Sequence, residues 1–384
     1  MKQIFYCIFF LLAEGCKDRY NAPVVSPDTG YMVIEGNINI SNGPTVITIS
    51  RTNKLNNREI NFENGAKVTI EGNNNSSYPL AETNPGQYTS DLILNSSVKY
   101  RVNISTADGK QYLSDFVEVK NNPPIDSISW QREHDGVGIY VNTHDPQNNT
   151  RYYQWEYIET WEFHSHFVST LKYDSNFSVR PPVYTIGFRN ARRDPDSTLF
   201  VCYKTVPSSN ITTGSTIALS NDVVFLPILY IPPESWKLSV LYSIEVKQHT
   251  LTREGYDYLE RMKKNTETTG TVFDAQPSEL VGNIHCVRNP AEPVLGFINI
   301  SPVQTKRIYI NNDQLPGWNY SQNCFRIEVI NDPDSIRYNG LGNMPTYPAK
   351  LGILGAIISF YVSSPECVDC SLRGTSTKPS FWPK

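Results

Sequence analysis

The chain has 384 residues, enough for two or three domains that bury their own cores without metal or disulfide staples. Lys and Arg number 34 against 38 Asp and Glu, a net charge of -4 with no long block of either sign, which argues against a nucleic-acid partner. Charged residues are only 19% while Tyr alone numbers 23, a balance that excludes a coiled coil, a collagen-like rod and a multispan membrane protein and fits a mainly β extracytoplasmic chain.

In chain order, Lys2 precedes an apolar run from Ile4 to Leu12. That run is far shorter than the roughly 20 apolar residues a spanning helix needs, so it reads as an export signal. It ends in Leu12-Ala13-Glu14-Gly15-Cys16, which resembles the bacterial lipobox. The resemblance implies a signal peptide over 1–15 and lipidation of Cys16, which would anchor the N-terminus in a membrane. Residues 16–28, polar and with Pro23 and Pro27, then form a tether.

Short β-rich runs at 31–38, 45–52, 66–71, 87–92, 100–106 and 112–119 follow, with turn signals such as Asn64-Gly65, Pro85-Gly86 and Asp108-Gly109 between them. They predict an immunoglobulin-like or transthyretin-like β-sandwich over 29–122. The stiff joint Asn121-Asn122-Pro123-Pro124 sets the boundary. The remainder, 123–384, is expected to be a larger β-rich domain with strands near 138–142, 152–167, 198–205, 216–218, 237–248, 294–300, 306–310, 324–330 and 351–361. One helix is expected near 252–264, with Thr250 or Thr252 as its N-cap and Tyr256, Leu259 and Met262 at helical spacing. The apolar stretch 351–362 is too short to span a bilayer and suits one or two buried strands.

Cys7 leaves with the signal, so Cys202, Cys286, Cys324, Cys367 and Cys370 remain in a compartment where disulfides persist. Five cannot all pair. One or two structural disulfides are expected, with the connectivity open. Cys367-x-x-Cys370 with Cys286 and Cys324, or with His285, sketches an alternative zinc site, but the second close pair that such sites show is missing.

Two clusters invite a functional reading beside a plainer one. Glu162, His164 and His166 alternate along an expected strand and share a face, the geometry for offering a carboxylate and two imidazoles to a metal; a solvated polar face accounts for them as well. Tyr153, Trp155 and Trp161, with Tyr152 and Tyr157, could stack on a sugar or peptide, or pack in a sandwich core. The sequence carries no G-x-S-x-G, H-E-x-x-H or G-x-x-x-x-G-K-[ST], so no catalysis and no cofactor are expected from local motifs. A catalytic set assembled from distant positions stays open.

Val33-Ile34-Glu35-Gly36, Gly86-x-Tyr88, Asp108-Gly109-x-x-Tyr112-x-Ser114, Pro123-Pro124-Ile125-Asp126-Ser127 and Tyr153-x-Trp155 occur in that order. After the helix come Gly270-x-x-Phe273-Asp274-x-Gln276-Pro277, Gly282-Asn283-Ile284, Val294-Leu295-Gly296, Lys306-Arg307, and Cys367-x-x-Cys370 ahead of Lys378-Pro379-x-Phe381-Trp382. Together with the lipobox, this series resembles the Bacteroidota lipoprotein family catalogued as domain of unknown function 4249. The resemblance implies an outer-membrane lipoprotein encoded beside a SusC-like TonB-dependent transporter. The expected role is therefore non-catalytic, as an accessory of such a transporter in cargo capture or complex assembly. The alternatives are a free-standing surface module that binds glycan or protein and, in another class, an extracellular hydrolase. Lys17-Asp18 is similar to the acidic surface-export tag of these bacteria, though Arg19 interrupts it, so the cell surface is favoured over the periplasmic face.

Overall fold

The computed structural model describes residues 30–41, 43–53, 59–176, 178, 182–267 and 280–384. The signal, Cys16, the tether and the Gly270 to Pro277 motif lie outside the described residues. The fold is mainly β, and its strands form where apolar side chains alternate.

In the first region, β1 (Met32–Asn39), β2 (Pro44–Arg51), β3 (Asn61–Phe62), β4 (Lys67–Gly72), β5 (Ser77–Asn84), β6 (Gln87–Asp91), β7 (Tyr100–Ser105) and β8 (Gln111–Ser114) run in order. Ile34, Ile47, Ile49, Val68, Ile70, Val102 and Ile104 point inward and share one hydrophobic cluster. The alternation explains the two-layered arrangement, because each strand has one apolar face to bury. Strand β5 was not foreseen, since Pro79 and a polar second half disguise it. Its residues 77–80 pair with β4 and its residues 81–84 with β6, so this one strand links the two halves of the sheet.

The division expected at residue 122 leaves out part of this sheet. Three short strands from beyond it, β18 (Ile284–Cys286), β19 (Val294–Leu295) and β20 (Asn299–Ser301), return to the first region. Strand β18 pairs with β8, and β19 and β20 run parallel to β1. Two glycines permit the return. A Cβ on Gly282 would sit 1.8 Å from the Gly296 carbonyl oxygen, and one on Gly296, whose φ is +145°, would sit 2.1 Å from the Ile34 carbonyl oxygen. Only bare backbone fits between these layers.

The second region is another two-layered unit. One layer is β16 (Asp222–Ile231), β10 (Gly136–Asp145) and β9 (Ile125–Glu133); the other is β14 (Val201–Pro207), β11 (Tyr152–His164), β17 (Leu241–Thr250) and β21 (Gln304–Asn311), with β15 (Thr212–Ser215) also on β11. Pro227 cannot donate to a ladder, and the register of the edge strand β16 against β10 shifts beside it, between Ile139 and Tyr140. The helix spans Arg253–Glu267, close to expectation. A third cluster joins the hairpin β12 (Leu171–Asn176) and β13 (Val183–Phe188) to the sheet β22 (Ile327–Ile330), β24 (Ile357–Ser363) and β23 (Met344–Leu351) through Leu171, Val329, Ile336, Phe360 and Val362. The stretch expected as buried strand from residue 351 is instead a hairpin whose turn, around Ile353 and Leu354, is fully outside the core. Beyond the turn, the second arm buries Phe360 and Val362 in the core.

The joint between the units is a closed amide network. Asn122 Nδ2 donates to the carbonyls of Gln248 and Pro302, each at 2.7 Å. Gln248 Nε2 donates to Asn122 Oδ1 at 3.0 Å and to the Pro123 carbonyl at 2.8 Å, while Trp155 Nε1 donates to Gln248 Oε1 at 2.9 Å. Gln248 is entirely buried.

Two disulfides form, Cys202–Cys370 and Cys324–Cys367. The C-x-x-C pair therefore splits between two partners, which removes Cys324, Cys367 and Cys370 from the alternative zinc site, and Cys286 is a buried free thiol on β18. Cys202–Cys370 staples the C-terminal tail to β14, where Tyr203 and Thr375 exchange backbone hydrogen bonds of 2.8 and 2.9 Å.

Replacing Gln248 by Ala strands the Trp155 indole N–H and the Asn122 amide in the interior, and the expected cost is about 3 kcal/mol, read as an earlier urea midpoint. Replacing both Cys202 and Cys370 by Ser is expected to cost about 2 to 4 kcal/mol and to expose the tail to limited proteolysis before the rest of the chain is cut.

Candidate functional site

A concavity of about 930 Å³ lies at the joint of the two units. Four segments form its walls. The stretch Asp115 to Asn121 leaves the first sheet after β8; Asn149 to Tyr152 enters β11; Thr250 to Glu254 leads from β17 into the helix; and Val281 to Asn283 begins the return to the first region. The amide network fixes these segments relative to one another, because Asn122 directly follows one wall and Gln248 lies two residues before another.

Local chemistry explains each wall. Thr252 caps the helix, its Oγ1 accepting from Gly255 N at 3.1 Å, so the positive end of the helix faces this region. Asp145 accepts from the backbone N–H groups of Gln147, Asn149 and Thr150, which fixes the turn before β11 and holds its carboxyl below the usual carboxylate range against the cost of burial. Asn283 clamps the return segment, donating to the Ile298 carbonyl and accepting from Ile298 N.

The lining mixes polar and apolar surface in near-equal parts, and its charged groups are biased toward positive. Five cations, Lys99, Lys120, Arg151, Arg253 and Arg261, face three carboxylates, Asp115, Glu118 and Glu254. Lys99 and Lys120 both pair with Glu118, at 2.9 and 3.7 Å, and the Lys99 hydrogen bond is the main reason that carboxyl lies below its ordinary range. Arg151 is spent on the carbonyls of Thr216 and Leu219. Phe116, half-exposed under the Arg101 guanidinium, and Phe297 give the cleft its apolar surface. Such a cleft suits a polar ligand with negative charge.

Behind the wall, His249 is buried and neither ring nitrogen has a hydrogen-bond partner. Glu156 lies 3.9 Å from its Nε2. Desolvation dominates and lowers the imidazole pKa, with Lys247 acting in the same direction and Glu156 opposing.

The residues singled out in the sequence fall elsewhere. Tyr153, Trp155 and Trp161 do not form a ligand platform; all three are buried in the core of the second unit, because the odd-numbered positions of β11 face the opposing layer. The metal reading of Glu162, His164 and His166 is also corrected. Strand β11 stops at His164, and His166 lies beyond it, edge-on to the Phe167 ring. Glu162 is committed to other partners: His164 Nε2 is 3.0 Å from Glu162 Oε1, and Trp382 Nε1 donates to Glu162 Oε2 at 3.0 Å. Among the described residues no cluster of three or more His, Cys, Asp or Glu could hold a metal ion. The pair instead fastens the tail. Arg307 stacks on Phe381 at 3.7 Å, Tyr309 donates to the Phe381 carbonyl, and Trp382 packs edge-on against Tyr203 and Tyr309. The cleft itself went unforeseen: its signals, the Asn121 to Pro124 joint and the helix cap, were read only as structure.

Because burial lowers the folded-state pKa of His249 below its unfolded value, its contribution is present above the unfolded pKa of about 6.5 and is lost as pH falls below it. The urea midpoint is expected to drop between about pH 7.5 and 5.5, and His249→Gln to flatten that part of the profile.

Among the described residues no helix is long and apolar enough to cross a membrane. No functionally curated protein matches the sequence. Solved structures give distant likenesses. A Bacteroides uniformis protein provisionally named as carbohydrate-binding is 12% identical, with 58% of this chain and 91% of that chain covered and a TM-score of 0.16. A Corynebacterium diphtheriae protein provisionally named as membrane-anchored is 13% identical, with 57% and 54% covered and a TM-score of 0.15. A DUF3823 family protein from Bacteroides ovatus is 9% identical, with 58% and 91% covered and a TM-score of 0.14. These scores are too low to indicate a shared fold. The sequence profile described as Domain of unknown function (DUF4249) matches residues 17–307, most of the chain, and the protein belongs to that family.

Proposed function

We propose that this protein is a non-catalytic binding lipoprotein, anchored through Cys16 to the outer membrane with its body toward the cell surface, and that it serves a SusC-like TonB-dependent transporter by holding cargo. The observation that carries the binding reading is the cleft at the joint, walled by both units and biased toward positive charge. A cleft between two units can hold a ligand of several residues or sugar rings, and its cations favour carboxylated or sulfated cargo. The lipobox-like Leu12 to Cys16 supports the anchor, and the family resemblance supports the transporter.

The test is a mild-detergent pull-down of the tagged full-length protein from its native outer membrane, with Cys16→Ala as control and mass spectrometry of what co-purifies. A β-barrel transporter retained through washing, and lost with Cys16→Ala, is the expected result. Recovery of the lipidated protein alone removes the transporter from the reading. On an array of neutral and uronic-acid oligosaccharides, the purified protein is expected to prefer the acidic members, and Arg253→Glu to weaken that binding about tenfold, as removal and reversal of one close charge would. No preference for acidic members refutes the charge argument.

A further inference from the structure

The turn between β23 and β24 carries an apolar surface that the fold does not use. Ile353 is 90% exposed and Leu354 100%, with Leu351 at 51% and Ile358 at 51% beside them. Ile358 is next to the turn in space as well as in sequence, since a Cβ on Gly352 would lie 3.1 Å from its Cδ1. Ile330, 60% exposed, ends at the same place, because the following residue, Asn331, bonds through its backbone and side chain to the carbonyls of Ile358 and Ile357. Single exposed aliphatic residues need no explanation, but four on one projecting turn, with a fifth at the end of the adjacent strand, do.

The backbone sharpens the point. Leu354 has φ 64° and ψ 15°, the left-handed region that suits Gly or Asn and is unfavourable for a bulky side chain. Gly355, also left-handed at φ 79°, follows it. A leucine that stabilises neither the core nor the turn has its value in a contact outside the chain.

We propose that this turn inserts into the surface of a lipid bilayer. Residues 351–358 supply aliphatic side chains and no aromatic one, which suits non-directional transfer into acyl chains; protein contacts are typically anchored by Trp, Tyr and Arg, with Leu under-represented. Cations stand where headgroups would lie. The Arg193 guanidinium is within 3.7 Å of the position a Cβ on Gly355 would take, stacked on Phe188 at 4.4 Å, and Lys350 immediately precedes the turn, paired with Glu328 at 3.0 Å. Arg192 and Arg193 outnumber Asp194 in the neighbouring loop. This arrangement complements anionic headgroups. The inference goes beyond the anchoring reading and draws on it only for proximity: the 14 residue steps from Cys16 to Gly30 can extend to at most about 50 Å, so an anchored body stays within reach of the bilayer.

The test places an indole in the turn of the full-length protein, Leu354→Trp, and adds vesicles of phosphatidylethanolamine and phosphatidylglycerol with or without acyl chains brominated near the headgroup. Lipid is kept in the millimolar range, so that insertion is read with or without the acyl anchor, and flotation, which reads the anchor, is scored separately. The expected result is quenching of about half of the added fluorescence beyond that of the wild type, whose six tryptophans set the background. Adding Ile353→Asp to that variant should abolish the excess while leaving the circular dichroism unchanged. Quenching no greater than the wild type's overturns the proposal, whatever flotation shows, and a protein that is quenched but does not float leaves the turn standing and the anchor refuted.

Discussion

The reciprocal pairing of Asn122 with Gln248 is the constraint on which the rest of the molecule turns. Both side chains are removed from water: Asn122 donates to the Gln248 backbone carbonyl, Gln248 donates to the Asn122 side-chain oxygen, and their remaining capacity goes to the Pro123 and Pro302 carbonyls and the Trp155 indole. Buried amides of this kind are stabilising only when every donor and acceptor is met, which demands one relative placement of linker, β17 and β11. That placement creates the cleft. Segments adjoining Asn122 and Gln248 become two of its walls, so the cleft's shape is a by-product of satisfying polar groups at the joint.

Strand β11 shows how one stretch of chain serves both sides of a sheet. Its odd positions bury Tyr153, Trp155, Tyr157, Trp161 and Phe163, and also Glu159, whose carboxylate is met by Lys237 and by the Tyr242 hydroxyl. Its even positions leave Glu162 and His164 on the outer face, where the Phe381-Trp382 tail lies across them. The tail is thus held at two points of different character: a covalent bridge from Cys370 to β14, and an aromatic clasp farther along. The surface of β11 that a metal would have needed is already occupied by protein.

The molecule divides its chemistry by location. Charge gathers in the cleft at the joint, while exposed aliphatic surface gathers at the β23–β24 turn.

Much of this was legible in the sequence, for a physical reason. Alternation along strands, the turn glycines, the Thr252 cap and the Asn-Asn-Pro-Pro joint are local signals, and the strands around 32–39, 67–72, 100–105 and 241–250 and the helix follow from them. The family, too, was carried by short motifs in order. Strand β5 is disguised by Pro79 and a polar second half, and β16 by Pro227, which interrupts it. Which cysteines pair, which face of β11 holds the tyrosines and tryptophans, how residues 284–301 return to complete the first sheet, and where the cleft opens were decided only by the tertiary structure. Each depends on groups distant in the chain meeting in space, and one-dimensional spacing carries no record of that meeting.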